Sequence, residues 1–116
     1  MNLIDLSDRV KAAVDSDPVL AEAIEARIVF GIPKQHPAVY VDGLYDLDDS
    51  KGASLVRFTI NLTHEKNGIA EAATFFDLAG RLKAALNGSQ SIIGGSWLDR
   101  SEETIHRAMF DCQTWL

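Results

Sequence analysis

Ser54-Leu-Val-Arg-Phe-Thr-Ile-Asn-Leu-Thr63, followed by His64-Glu-Lys-Asn-Gly68 and then by Ile69 to Gly88, is the stretch that decides the fold. In its first part Val56, Phe58, Ile60 and Leu62 alternate with Arg57, Thr59, Asn61 and Thr63. Period two with β-branched and aromatic residues predicts a strand with one buried and one wet face. After Asn67-Gly68 the period becomes helical. Ala72, Phe75, Ala79, Leu82 and Leu86 form one apolar stripe, with Ile69 and Phe76 at its margin. Asn87-Gly88 predicts a left-handed stop for that helix. A half-wet strand joined to a one-sided helix describes a helix lying on one face of an antiparallel sheet.

Working outward toward the N-terminus, Leu3, Leu6, Val10, Ala13 and Val14 share one helical face, and the pattern ends near Asp15. Asp17 suits an N-cap and Pro18 a first helical position, so a second short helix follows, completing a helical N-terminus over 3–25. Arg27-Ile-Val-Phe30 reads as a short strand at a sheet margin, because Gly31, Pro33 and Pro37 interrupt pairing. Ala38 to Asp42 resumes as a strand. The most polar stretch, Leu44 to Gly52, reads as an acidic, mobile hairpin tip.

Beyond the long helix, Ser91-Ile-Ile93 is a brief strand broken by Gly94-Gly95, and Thr104 to Leu116 is a strand pattern. The whole chain, 1–116, is thus expected to be one α+β domain, with sheet and long helix spanning 26–116. The strand patterns at 27–30 and 104–116 are the expected sheet edges. No blocking run of lysines protects them, so pairing across subunits is open to both.

Composition limits the function. The chain has 116 residues, 47% of them hydrophobic and 24% charged, which is one ordinary globular core. Seventeen acidic against eleven basic side chains give a net charge of −6, and no two basic residues are adjacent. Nucleic-acid binding needs a basic stripe, so a DNA- or RNA-binding surface is not expected. The single cysteine, Cys112, rules out an internal disulfide and reads as a buried, inert thiol. No apolar run approaches the ~20 residues of a membrane span.

The order of elements carries a resemblance. A helix pair, Arg27-Ile-Val-Phe-Gly-Ile-Pro-Lys-Gln-His-Pro-Ala-Val-Tyr-Val41, an acidic hairpin, Leu62-Thr-His-Glu-Lys-Asn-Gly68 with its helix, and a terminal hairpin follow one another. This arrangement resembles the tail-terminator (tail-completion) proteins of tailed bacteriophages, the lambda U-like family. The resemblance covers almost the whole chain and is one of pattern. It implies a structural virion protein of the tail and neck, made in the host cytoplasm. Such a subunit forms a homohexameric ring that caps the tail tube and joins it to the head, with the tube protein and a neck or connector protein as partners. DNA would pass through without specific binding. Alternatives are another neck component (a head–tail connector or stopper) or a small bacterial ligand-binding or regulatory domain.

Chemistry finds little support in the residues. Asp46-Leu-Asp48-Asp49-Ser-Lys51-Gly52 opens like a calcium loop, but Lys51 stands where glycine is needed and Arg57 where the closing glutamate is needed. A solvated acidic loop is the stronger reading. His36, His64 and His106 lie on separate segments without metal-ligand spacing. No nucleophile elbow, phosphate loop or dinucleotide glycine pattern occurs. Neither a catalytic site, a metal nor a cofactor is therefore expected. The candidate functional residues are those of an assembly protein. Asp46, Asp48 and Asp49 are expected to face a partner or a channel lumen. Ala73, Gly80 and Ala84 form a small-residue helix face for either the first helix or a neighbouring subunit. Gly80 inside a helix costs about 1 kcal/mol relative to alanine, which argues for close approach of another element there.

Overall fold

The computed structural model describes residues 2–25, 27–31, 33–50, 53–89, 93–99 and 104–116. Side chains at 45–50, 53–54 and 93–99 are outside that description. The elements run α1 (Leu3–Asp15), α2 (Pro18–Ile24), β1 (Ile28–Phe30), β2 (Ala38–Ser50), β3 (Ala53–Glu65), α3 (Ile69–Gly88), β4 (Ile93–Asp99) and β5 (Ile105–Trp115). The five strands form one sheet in the order β1-β2-β3-β5-β4. The molecule measures 50 × 27 × 23 Å, long in one direction.

The decisive strand behaves as its period predicts. Val56, Phe58, Ile60 and Leu62 of β3 are buried on the helix side. Their ladder neighbours continue that face: Ile60 lies opposite Val41 and Phe110, and Leu62 opposite Val39 and Ala108. Onto this surface α3 sets Phe75, Leu78, Ala79, Leu82 and Leu86, while α1 and α2 contribute Leu6, Val10, Val14, Leu20 and Ile24. All three helices therefore serve one core on one face of the sheet, and the α+β class stands. The opposite face is polar rather than simply wet. Asn61 and Thr63 are buried there, the Asn61 amide donating to Asp42 Oδ1 at 2.9 Å. Arg107 Nη1 donates to Tyr40 Oη at 3.2 Å on the same side.

Local caps follow the sequence at the N-terminal helices. Asn2 Oδ1 accepts from the Asp5 amide, and Asp17 Oδ1 accepts from the amides of Val19 and Leu20, with Pro18 opening α2. At α3 the expected stop is absent. The helix runs through Asn87 and Gly88 without a left-handed residue and ends at extended Ser89, whose amide donates to the Leu86 carbonyl at 3.2 Å. The stripe itself shifts: Leu78 is in the core, whereas Ile69 and Phe76 are exposed.

Three expectations about the sheet are corrected. The sheet is mixed, because β1 runs parallel to β2, pairing Ile28 with Val39 and Phe30 with Val41. A strand of three residues is short enough for the 31–37 segment to return to its starting end. The Arg27 carbonyl accepts from the Val39 amide, and its guanidinium donates to the Pro37 carbonyl at 2.8 Å, fastening that return. Second, β5 is interior, held between β3 and β4, so the sheet edges are β1 and β4. Third, the polar stretch expected as a loop over 44–52 has a strand backbone through Ser50, pairing Asp46 with Val56 and Asp49 with Ser54. Lys51 and Gly52 lie outside the described residues. Two register shifts bend this arm. The first is at Gly43, whose φ of 62° is left-handed and whose added Cβ would sit 3.2 Å from Thr59 Oγ1.

Candidate assembly surface

The chemistry-bearing residues do not converge. Among the described residues no group of three or more His, Cys, Asp or Glu side chains is placed to hold a metal ion. Cys112 is buried on the core face of β5. His64 and His106, read from sequence as unrelated, are direct neighbours across the β3–β5 ladder. His106 stacks on Phe75, with ring centroids 4.9 Å apart and planes 15° apart, and serves as a core aromatic. His36 Nδ1 is hydrogen-bonded to Thr63 Oγ1 at 2.7 Å on the other face. The strand periodicity contained the His64–His106 pairing, but only a known register reveals it.

Among the described residues, exposed apolar side chains gather in two places, with Val19 and Trp115 exposed singly elsewhere. The first lies at the β1 edge. Phe30, 41% exposed, stands between two open hollows. One, of about 360 Å³, is lined by Arg27, Val29, Pro33, Lys34 and Gln35 together with Phe30. The other, of about 380 Å³, is formed with Leu3, Ile4, Ser7 and Asp8 of the first turns of α1. Ile4 is 76% exposed there. Residues 26 positions apart in sequence meet at this spot, and no local pattern announces it.

The second place is one flank of α3. Ile69, Ala73, Phe76 and Gly80 recur at spacings of four, three and four, so they form a single stripe. Ile69 is 89% and Phe76 50% exposed. The opposite flank is already used. Arg81 Nη1 pairs with Asp17 Oδ2 at 3.2 Å, and Ala84, Ala85 and Gly88 form a groove with Ala12, Ala13 and Ser16 of α1. The expected small-residue face thus divides. Ala84 lines the groove shared with α1, whereas Ala73 and Gly80 lie on the other flank. A Cβ added at Gly80 would meet no described atom within 4 Å, so among the described residues nothing accounts for that glycine. Asp46, Asp48 and Asp49 have their backbone in β2, and their side chains lie outside the described residues.

One electrostatic feature ties the helices together. Burial works to raise the Asp17 carboxyl, but the Leu20 amide, the Arg81 guanidinium and the Val19 amide outweigh it and hold the group below the ordinary carboxylate range. Arg81 is raised in turn by hydrogen bonds to Asp77 and Asp17. This is a helix-cap and docking contact. It joins α2 to α3 on the flank away from Ile69 and Phe76, both of which are exposed.

Among the described residues no helix is long and apolar enough to cross a membrane. No protein-family model matches the chain. No curated protein sequence matches it either. Among solved structures, a chain from the virion of a native gene transfer agent particle is similar in fold. The TM-score is 0.68 at 17% sequence identity, and the match covers 95% of this chain and 92% of that one.

Proposed function

We propose that this protein is a structural virion subunit, without catalytic activity, that acts as a tail terminator. Its subunits close into a ring, of six by family resemblance, that caps the tail tube and joins it to the neck. The observation that carries this reading is the near end-to-end fold match to a chain of a gene transfer agent virion, with neither chain having much left over. Two features of the molecule agree with it. Among the described residues the exposed apolar side chains gather mainly in two unlike patches, which suits subunits joined head to tail into a closed ring. Its net charge of −6 suits a channel that lets DNA pass without holding phosphates.

The test is to add the purified protein to tail tubes and image their ends. A terminator halts tube growth and leaves a ring at one end; it also retains no duplex DNA at physiological salt. Binding to the head vertex with no effect on tubes would make it a connector or stopper instead. A salt-sensitive DNA complex would count against an acidic channel.

A further inference from the structure

We propose that the free flank of α3 in one copy seats in the two hollows beside Phe30 of the next copy. The contact rests on the ring reading above and specifies which surfaces build the ring. The two patches belong to different ends of the sheet. Phe30 is on β1, one edge strand, while α3 lies over β3, β5 and β4. Because the patches lie at different ends of the sheet, a pair joined through one such contact leaves one patch open on each copy for a further neighbour.

The shapes correspond. Along α3 the seven steps from Ile69 to Phe76 span about 10 Å, with the small Ala73 between them. At the β1 edge Phe30 lines both hollows and so separates them. With Phe30 against Ala73, Ile69 enters the hollow of Val29 and Pro33, and Phe76 enters that of Leu3 and Ile4. Gly80, one turn further, then lets the first turn of α1 approach the helix backbone, which supplies the reason for that glycine.

The charges correspond as well. Lys83, one turn beyond Gly80, is exposed, and Asp8, on the wall of the Leu3–Ile4 hollow, is exposed too. Among the described residues neither has an ion-pair partner within its own chain. The same orientation that seats the ridge brings Lys83 to Asp8 of the neighbour. A pairing of α3 with α3 would leave both hollows empty and both of these charges unmatched.

The experiment uses the full chain with Phe30→Asp and Phe76→Asp variants, each checked by thermal melting, in sedimentation velocity. Wild type is expected to form a closed oligomer, and each variant alone to be monomeric. An equal mixture of the two should stop at dimers, since only one intact contact of each kind remains. A dimer of either variant alone would mean like-with-like pairing and overturn the proposal, as would a wild type that stays monomeric at its highest soluble concentration. Charge reversal at exposed positions provides a check independent of folding. Asp8→Lys and Lys83→Glu should each weaken association about tenfold, and the two together in one chain should restore it. Failure of the double variant to recover would also overturn it. An oligomer that resists every one of these variants yet still caps tubes would remove this contact and keep the terminator reading. An oligomer that obeys them but ignores tubes would do the reverse.

Discussion

Helix α1 turns Asp8, Lys11 and Asp15 outward, with Lys11 Nζ 3.0 Å from Asp15 Oδ2, and buries Leu6, Val10, Ala13 and Val14. Helix α3, in the same layer, buries Phe75, Leu78, Ala79, Leu82 and Leu86 but turns Ile69, Ala73, Phe76 and Gly80 outward on its free flank. A helix needs one apolar stripe to join a core; a second stripe has to be explained by something outside the subunit. The outer face of α1 is finished by solvent over most of its length, and on the contact proposed above that of α3 is finished by a neighbouring copy.

Adjacent phenylalanines give the strongest way to break this distinction. Phe75→Ala should destabilise the subunit by about 3–5 kcal/mol in denaturant titration, because it empties the centre of the core. Phe76→Ala should cost no more than about 1.5 kcal/mol, the scale of its edge contact with Phe75, whose ring centroid is 5.2 Å away. Equal losses at the two positions would mean that α3 has no free flank. On the other helix, Leu6→Ala should cost about 2–5 kcal/mol, which places its buried stripe on the same footing as that of α3.

Gly80→Ala sharpens the comparison, since its two effects have opposite signs. The backbone there is helical and the space open, so the subunit should gain about 0.5–1 kcal/mol. Association should weaken, because the added methyl stands where the neighbour approaches. A substitution that left both properties unchanged would contradict the close approach.

Acid titration tests how firmly α3 is tied on its other flank. Asp17 has a folded pKa below its unfolded one. Its contribution is therefore complete above the ordinary carboxylate range and is lost as pH falls toward the folded value. In Asp17→Asn that part of the acid-induced loss of stability should disappear, read as a flatter slope of unfolding free energy against pH. The smallest effect belongs to the solvated face of α1. Lys11→Ala should change stability by no more than about 0.5 kcal/mol, and association not at all.

Sequence legibility varied with the locality of the signal. The helices, the alternation of β3, the Asp17-Pro18 cap and the burial of Phe75 are each written within a few residues, and the structure has them. The place of β5 is not written locally: an alternating strand reads the same whether β4 covers its edge or not. Nor does a three-residue run such as Ile28–Phe30 specify parallel pairing. The stretch after Gly43 misled because acidic composition suggests a loop, whereas ladder hydrogen bonds use the backbone and are indifferent to it. Of the candidate surface, the shared helical flank of Ala73 and Gly80 is legible from spacing alone. Ile69 and Phe76 look from sequence like core margin, since periodicity cannot tell which of two apolar stripes meets the sheet. The hollows beside Phe30 needed residues 3–8 and 27–35 brought together, which only the tertiary fold does.

The most direct test of the central claim is the mass of the native assembly of the unmodified chain, measured by native mass spectrometry across a dilution series. The account predicts one dominant closed species, an integral multiple of the 12.7 kDa subunit, with no open ladder of sizes. A mass of 12.7 kDa at every concentration would contradict it.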